Sequence, residues 1–448
     1  MKQSAIVALA AVAAVQAVPV AQPYGQCGGT NYSGDSACPS DYSCVKVNDY
    51  YSQCQPGSGG GDGSGATTTA AAGTGTTAAA TAPAATNTDN PLAGYEFYAN
   101  PYYASEVSSS AVPTLSAKGS ATWAAKATEV AKIGSFTWLD TRAKVPTIAD
   151  YAADVQKQNA AGAKLTLPLV VYDLPERDCA ALASNGELSL ANNGSALYKD
   201  YINSIKTQID AFPDVFFTLV IEPDSLANLV TNTNVAKCAN AETAYKELTA
   251  YAIKTLDSKN VVQYLDAGHA GWLGWPANIA PAAKLFGQLY TDAGKPASVR
   301  GLATNVANYN AWTLPTCASY QQGSKTCDEK TYITNFAPLL EAEGFPAHFV
   351  TDTGRNGVQP TKQQAWGDWC NVIGTGFGVR PTTETSEPLL DAFVWVKPGG
   401  ECDGTSNTTA TRYDAHCGLD DALKPAPEAG TWFEAYFEQL LVNANPAF

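Results

Sequence analysis

Residues 215–224 read Val-Phe-Phe-Thr-Leu-Val-Ile-Glu-Pro-Asp, a short run of apolar and β-branched residues that ends in two acids. It is too short for an ordinary helix and does not alternate, so Val215–Ile221 is predicted as a strand buried on both faces. Seven more runs share its character: Phe136–Asp140, Leu165–Tyr172, Val261–Leu265, Leu302–Val306, His348–Thr351, Val372–Thr375 and Phe393–Val396. Amphipathic stretches lie between them. In 241–257, Tyr245, Leu248, Ala252, Ile253 and Leu256 fall on one 3.6-residue face. Buried strands alternating with helices predict an α/β domain on a parallel sheet, and seven or eight such units predict a barrel. No short repeat of fixed period argues for a solenoid.

The strands run into acids at their C-terminal ends. Leu165–Tyr172 leads to Asp173 and Asp178, Val215–Ile221 to Glu222 and Asp224, and Val261–Leu265 to Asp266 and His269. His348–Thr351 leads to Asp352 and Arg355, and Phe393–Val396 to Lys397, Glu401 and Asp403. One acid after a strand is ordinarily a helix cap or a loop charge. Five strand ends together point to a single polar face, the face where α/β barrels build active sites. Aromatic residues mix in at the same ends: Trp138, Tyr172, Trp272, Trp275, Trp369 and Trp395. Trp272 and Trp275 stand between glycines, a context that suits rings stacking on a flat ligand better than a core plug.

Composition narrows the chemistry. With 27 basic and 42 acidic residues the net charge is −15, which argues against nucleic acid and against an anionic membrane surface. The first 17 residues carry Lys2, a short apolar run and small residues before Val18, the pattern of a secretory signal peptide. Export makes disulfides the expected state of the eleven cysteines. There is no Cys-x-x-Cys pair, only three histidines and no phosphate-binding glycine loop, so neither a metal nor a cofactor is expected.

The chain reads as four zones: signal peptide 1–17, a small Cys-rich module 18–56, a linker 57–88 and a catalytic domain 89–448. The module holds Cys27, Cys38, Cys44 and Cys54, and a segment that small needs crosslinks to be stable. Four cysteines allow three pairings. The linker contains 10 Ala, 9 Thr and 8 Gly among its 32 residues, with nothing to form a core. Its hydroxyls suit O-glycosylation and an extended tether. Acids, platform aromatics and no metal leave glycoside hydrolysis as the natural reaction, with Asp178 and Asp224 as the carboxyl pair after adjacent strands.

Four segments resemble fungal family 6 cellobiohydrolases: 172–179 (Tyr-Asp-Leu-Pro-Glu-Arg-Asp-Cys), 220–226 (Val-Ile-Glu-Pro-Asp-Ser-Leu), 264–275 and 395–404. The likeness covers about residues 91 to 448. Residues 24–29 and 48–54 resemble a fungal family 1 cellulose-binding module. The resemblance implies a distorted parallel β/α barrel of about seven strands, behind a small disulfide-rich antiparallel β module. It implies an extracellular monomeric enzyme that binds cellulose and cello-oligosaccharides and hydrolyses β-1,4-glucan with inversion. The implied general acid is Asp224. Asp178 is the second acid, raising the pKa of Asp224 and relaying a proton from water, and Asp403 is a further candidate base. Arg177, Arg355 and Arg412 match arginines around these acids, and Tyr172 matches a ring that crowds the sugar at the scissile bond. Trp138, Trp272, Trp275 and Trp369 match stacking platforms. Lys397, Glu401, Asp266, Ser184, His269 and Asn308 match further sugar contacts. On the module, Tyr24, Tyr50 and Tyr51 match the flat binding face, with Asn48 and Gln53 as polar partners.

The implied disulfides are Cys27–Cys44, Cys38–Cys54, Cys179–Cys238 and Cys370–Cys417. Cys317 and Cys327 bracket a loop and are read as one more bridge, which leaves Cys402 as an inert free thiol. Relatives that cut mid-chain have shortened loops. Both long loops, 173–195 and 397–430, are present, and Cys179 and Cys417 lie in them as tethers of a tunnel roof. That favours an exo-acting cellobiohydrolase with cellobiose as product, and the resemblance implies attack from non-reducing ends. An endoglucanase on the same fold is the alternative, and a non-hydrolytic cellulose-binding protein would need a disrupted acid pair.

Overall fold

The computed structural model describes residues 26–28, 36–38, 40, 42–48, 51–56, 89–321 and 323–448. The expected signal peptide, the linker, Tyr24 and Tyr50 lie outside the described residues. The chain forms two compact units, 1–81 and 82–448.

The first unit contains three short strands, β1 (Gln26–Gly28), β2 (Tyr42–Asn48) and β3 (Tyr51–Pro56), in the antiparallel order β1-β3-β2. Asn48 ends β2 opposite Tyr51, and Gln53 pairs with Val45 and Gln26. Cys27 bonds Cys44 and Cys38 bonds Cys54, as the resemblance implies. Cys27 and Cys54 are buried, so the bridges supply the centre that so small a sheet lacks.

The second unit is built on parallel strands. They are β4 (Glu96–Phe97), β5 (Thr137–Leu139), β6 (Leu165–Val171), β7 (Phe216–Ile221), β8 (Val261–Asp266), β9 (Val299–Thr304), β10 (His348–Asp352) and β11 (Leu390–Val394). The order is β11-β10-β9-β8-β7-β6-β4, with β5 sharing the outer edge of β6. Between β11 and β5 no ladder forms. Two bonds span the seam instead, Phe136 N–H to the Trp395 carbonyl at 3.0 Å and Trp138 Nε1–H to the Val396 carbonyl at 2.8 Å. The result is a distorted barrel with one open seam.

Side chains alternate along each strand. Leu167, Leu169 and Val171 of β6, and Phe217, Leu219 and Ile221 of β7, pack outward under the helices. Val170, Tyr172, Val220, Val262, Tyr264, Ala303, Val350 and Val394 form a second cluster. Burial of both faces explains why these strands read as unbroken apolar runs. The helix Ala236–Thr255 buries Tyr245, Leu248, Ala252 and Ile253, as its periodicity predicts.

One strand expectation is corrected, and one strand was not expected. Val372–Thr375 is not a strand; it contributes a single bridge, Val372 to Ala422. Asn371, just before the run, and Gly374, inside it, have φ of 45° and 79°, which leaves too few consecutive extended residues for a strand. Glu96–Phe97 is a strand that a two-residue apolar pattern does not announce. Three disulfides crosslink this unit: Cys179–Cys238, Cys317–Cys327 and Cys370–Cys417. Cys402 is free and buried, and burial, then the charge of Asp403, pushes its thiol up to about 12. Among the described residues, no helix is long and apolar enough to cross a membrane.

Candidate active site

The chain leaves β6 and β7 by the same device. Glu176 and Asp178 after β6, and Glu222 and Asp224 after β7, have φ of 62°, 54°, 49° and 64°. Left-handed backbone costs a non-glycine residue roughly 1–2 kcal/mol, so the surroundings must hold it. After β6 the Cys179–Cys238 bridge does so, together with Lys237, whose Nζ donates to the carbonyls of Arg177 at 3.0 Å and Asp178 at 3.3 Å. After β7, Asp224 N–H donates to Asp266 Oδ1 at 3.0 Å, and Asn228 Nδ2 donates to the Asp224 carbonyl at 2.8 Å. Asp224 occupies the N-cap position of the helix Ser225–Thr231, yet its side chain makes no capping bond. The expected alternative role of a strand-end acid is thereby absent, and the carboxyl is left for other work.

The carboxyls are electrostatically unlike. Burial, then the charges of Asp266 and Asp178, pushes Asp224 well above the usual carboxyl range. Burial raises Asp266 to about 7 against the N–H bonds it accepts from Gly268 and Asp224. Asp178 accepts the Tyr172 hydroxyl at 2.8 Å and the Ser184 N–H at 3.0 Å. Asp403 goes the other way. Burial opposes its ionisation, but Arg355, Lys397 and the Asn371 N–H outweigh it and hold Asp403 below the usual value. Arg355 Nη1 lies 2.8 and 2.7 Å from its two oxygens, and the Tyr309 hydroxyl donates to Oδ2 at 2.8 Å. Arg355 is itself buried with its guanidinium 4.4 Å from the Tyr309 ring centre.

A chain of contacts joins the loops. Tyr172 meets Trp138 edge to face at 5.1 Å, and the Arg177 guanidinium lies 4.4 Å from the Tyr172 ring on its way to the carbonyls of Tyr172, Asp140 and Ser184. Lys397 Nζ stands 5.8 Å from the Trp138 ring and 4.0 Å from Asp403 Oδ1. Trp138, Trp272, Trp275 and Trp369 are all half-exposed, as stacking faces must be. Trp272 and Trp275 are not on a loose loop, however. Trp272 Nε1 donates to Thr231 Oγ1 at 2.7 Å, Trp275 Nε1 to the Gly271 carbonyl at 2.8 Å, and both rings pack on the core. The fixed rings present their faces without an ordering cost on binding.

Several expected residues stand elsewhere. Arg412 pairs with Glu428 at 3.2 Å, not with any of the three aspartates. Trp395 is buried and stacks on Phe377 at 4.9 Å, so it is core and no platform. Asp173 is wholly buried with Arg177 3.5 Å away, and burial pushes its carboxyl up to about 8. Glu222 is a brace, accepting the Asp173 and Leu174 N–H groups and the Tyr198 hydroxyl. Asp352 likewise accepts N–H groups from Gly354, Ala307 and Lys397. Ser184 serves the site through its backbone, and Asn308 Oδ1 accepts the Tyr309 N–H at 2.8 Å. Glu401 is raised by burial, with Lys397 opposing. Tyr309, Asn371 and Lys237 were missed; a tyrosine, an asparagine and a lysine outside any motif carry no sequence signal.

The two long loops meet. Leu182 N–H donates to Asp414 Oδ2 at 3.0 Å. A Cβ at Gly404 would stand 2.9 Å from Ala183 Cβ and 2.6 Å from Cys417 Sγ, so only glycine lets the loops approach this closely. Cys179 and Cys417 tether one loop each.

Comparison with known proteins finds close relatives of both parts of the chain. The family described as glycosyl hydrolases family 6 matches residues 92–444, and the fungal cellulose binding domain matches residues 23–51. A 1,4-beta-D-glucan cellobiohydrolase C of Emericella nidulans is 64% identical over 433 residues, covering 95% of both chains. A putative endoglucanase type B of Fusarium oxysporum is 60% identical over 436 residues, covering 95% of this chain and 94% of its own. Among solved structures, cellobiohydrolase II of Humicola insolens, in complex with glucose and cellotetraose, is 58% identical with a TM-score of 0.79, over 80% of this chain and 100% of its own.

Proposed function

The chain belongs to the glycosyl hydrolases of family 6, and on that premise we infer that it is an exo-acting cellulase that hydrolyses β-1,4-glucosidic bonds with inversion and releases cellobiose. The observation that carries the residue assignment is the split among the carboxyls: Asp224 is pushed up while Asp403 is held down. Two carboxyls driven apart by their surroundings are what an acid and a charged partner require. Asp224 protonates the glycosidic oxygen as the bond breaks. Water attacks the anomeric carbon from the opposite face and gives the inverted product. Asp178, through its charge, keeps the Asp224 proton in place before the step and takes up the proton that the water loses. Asp403 is the weaker base, because a carboxylate paired with Arg355 has its lone pairs engaged and its basicity lowered. Its fixed charge favours the positive character that develops on the sugar ring. Tyr172, Trp138, Trp272, Trp275 and Trp369 seat the pyranose rings.

The pH profile tests this assignment. The acid works in its protonated form, so its contribution is present below the raised pKa of Asp224 and is lost as pH rises through it. The charge on Asp403 is present above its lowered pKa and is lost as pH falls through it. A bell with its maximum at about pH 4–6 is expected. Asp178→Asn removes one of the charges that raise Asp224, so the alkaline limb should move to lower pH. A maximum above about pH 8, or an alkaline limb unmoved in that variant, would remove Asp224 and Asp178 from these roles.

An endoglucanase reading has the Fusarium relative's name in its favour, but an open cleft needs the two long loops apart, and here Leu182 and Asp414 join them. The exported, monomeric enzyme has its cellulose-binding module joined to the barrel by the Thr/Ala/Gly tether, and works from non-reducing chain ends. The tether raises local concentration only where a cellulose surface exists. Cutting near Thr81 should therefore weaken adsorption and turnover on crystalline cellulose and leave rates on soluble cello-oligosaccharides unchanged. Equal loss on both substrates would make the module part of the active site.

A further inference from the structure

The loop after β8 carries His269, and the ring's Nδ1 faces two hydrogen-bond groups at once. Gly271 N–H lies 3.1 Å from it and Asn310 Nδ2 lies 2.9 Å from it. The Asn310 amide has its orientation set from outside. Trp366 Nε1 lies 2.7 Å from Asn310 Oδ1, and an indole N–H can only donate, so that atom is the oxygen. The NH2 group then faces His269 and also donates to Glu329 Oε1 at 3.0 Å. Turning the amide over would set the NH2 against the indole N–H and the oxygen against Glu329. The Gly271 N–H is a donor in either case. An imidazole nitrogen that receives two donors offers its lone pair, so the ring's one proton resides on Nε2. Burial favours this neutral ring, taking His269 down to about 4. Nε2 makes no hydrogen bond to the described residues, and the side chain is only partly covered.

The same support reaches a stacking ring. Trp366 is buried and meets Trp275 at 5.9 Å, with an interplanar angle of 64°. The His269 loop lies directly on it, since a Cβ at Gly271 would stand 2.5 Å from Trp366 Cε2.

We propose that Asn310, oriented by Trp366, is a positioning residue that holds His269 as the Nε2–H tautomer, so that the cleft is offered a hydrogen-bond donor for a glucose hydroxyl oxygen. The sugar half of this statement rests on the proposed function; the tautomer half does not. An imidazole held the other way would present a bare acceptor at Nε2, and the cleft would bind a different edge of the sugar.

Three histidines make the test tractable. The full-length enzyme is labelled with 15N-histidine and two-bond 1H–15N correlations are recorded without substrate at mildly acidic pH. His348→Gln and His416→Gln assign the signals by loss. Wild type should show His269 protonated at Nε2 alone. Asn310→Asp places a carboxylate beside Nδ1 and Glu329 and should draw a proton onto Nδ1. Trp366→Phe keeps a ring against Trp275, removes the indole N–H and should leave a mixture of tautomers. Cellotetraose affinity should fall roughly 3–10-fold in Asn310→Asp, the scale of one hydrogen bond. A wild-type ring protonated at Nδ1, or an unchanged Nε2–H pattern in both variants, overturns the proposal. If Asn310→Asp does not fold, Trp366→Phe decides. A shifted tautomer with unchanged cellotetraose affinity overturns the donor role toward sugar and leaves the Asp224 chemistry untouched.

Discussion

Asp224→Asn is expected to lower kcat on cellulose and on cello-oligosaccharides by at least about 10²–10⁴-fold, the usual contribution of a positioned general acid. A sugar alkoxide is a poor leaving group, so this enzyme should stand at the upper end of that range. Asparagine is the informative substitution for a conformational reason as well. Asp224 has φ of 64°, and asparagine tolerates the left-handed region better than other residues with a side chain. Its backbone N–H still reaches Asp266, so the loop should keep its shape. Oligosaccharide affinity should persist, and the alkaline limb of the pH profile should vanish, because the group that titrates there is gone. An aryl cellobioside with an acidic phenol needs no proton on departure, and the loss on it should be far smaller. Turnover of cellulose within tenfold of wild type would sink the assignment. A uniform loss on both substrates would indicate damage to the site and not removal of an acid.

What the sequence discloses about this site follows from what each residue type must do. The strands were legible because burial on both faces leaves unbroken Val, Leu and Ile runs, and β6, β7, β8 and β10 fall within about one residue of their predicted limits. Val372–Thr375 begins as apolar as the others but follows the left-handed Asn371 and contains the left-handed Gly374, and backbone handedness at Asn371 is not written in hydrophobicity. The acids were legible as a group and not as individuals. Asp224 and Glu222 are two residues apart and equally acidic, yet Tyr198 and two backbone amides claim Glu222, while no side-chain cap claims Asp224. That distinction is made by partners distant in sequence. Arg355 and Arg412 show the same limit: one is buried against Asp403 and the other pairs with Glu428. Trp366 and Trp369 sit three residues apart, one a buried support and the other a half-exposed face. Sequence pattern alone does not separate them.

Opening the roof should convert the mode of attack. The loops 173–195 and 397–430 touch through Leu182 N–H and Asp414 Oδ2, beside the close approach of Gly404 to Ala183. Asp414 also accepts the His416 N–H and lies 2.7 Å from His416 Nδ1. Burial opposes its ionisation, but these bonds and the His416 charge hold it below the ordinary carboxyl value, so it is a charged acceptor for Leu182. A charge-assisted bond of this kind is worth roughly 1.5–3 kcal/mol, so Asp414→Ala should raise the open population of the loops by about 10–100-fold. Deleting 405–423, with Cys370→Ser to spare a lone thiol, removes Asp414 and Cys417, keeps Asp403 and should open the cleft outright. A roofed cleft admits a chain only by its end, so the intact enzyme should give a high ratio of soluble to insoluble reducing ends on cellulose and slow viscosity loss on a soluble derivative. Asp414→Ala should shift both toward internal cutting, and the deletion should shift them further. Because the Asp224, Asp178 and Asp266 cluster is left in place, the deletion should change where bonds are cut more than how fast each is cut. If the intact enzyme already lowers viscosity as quickly as it releases sugar, the loops do not confine the chain, and the endo-acting reading replaces the exo-acting one.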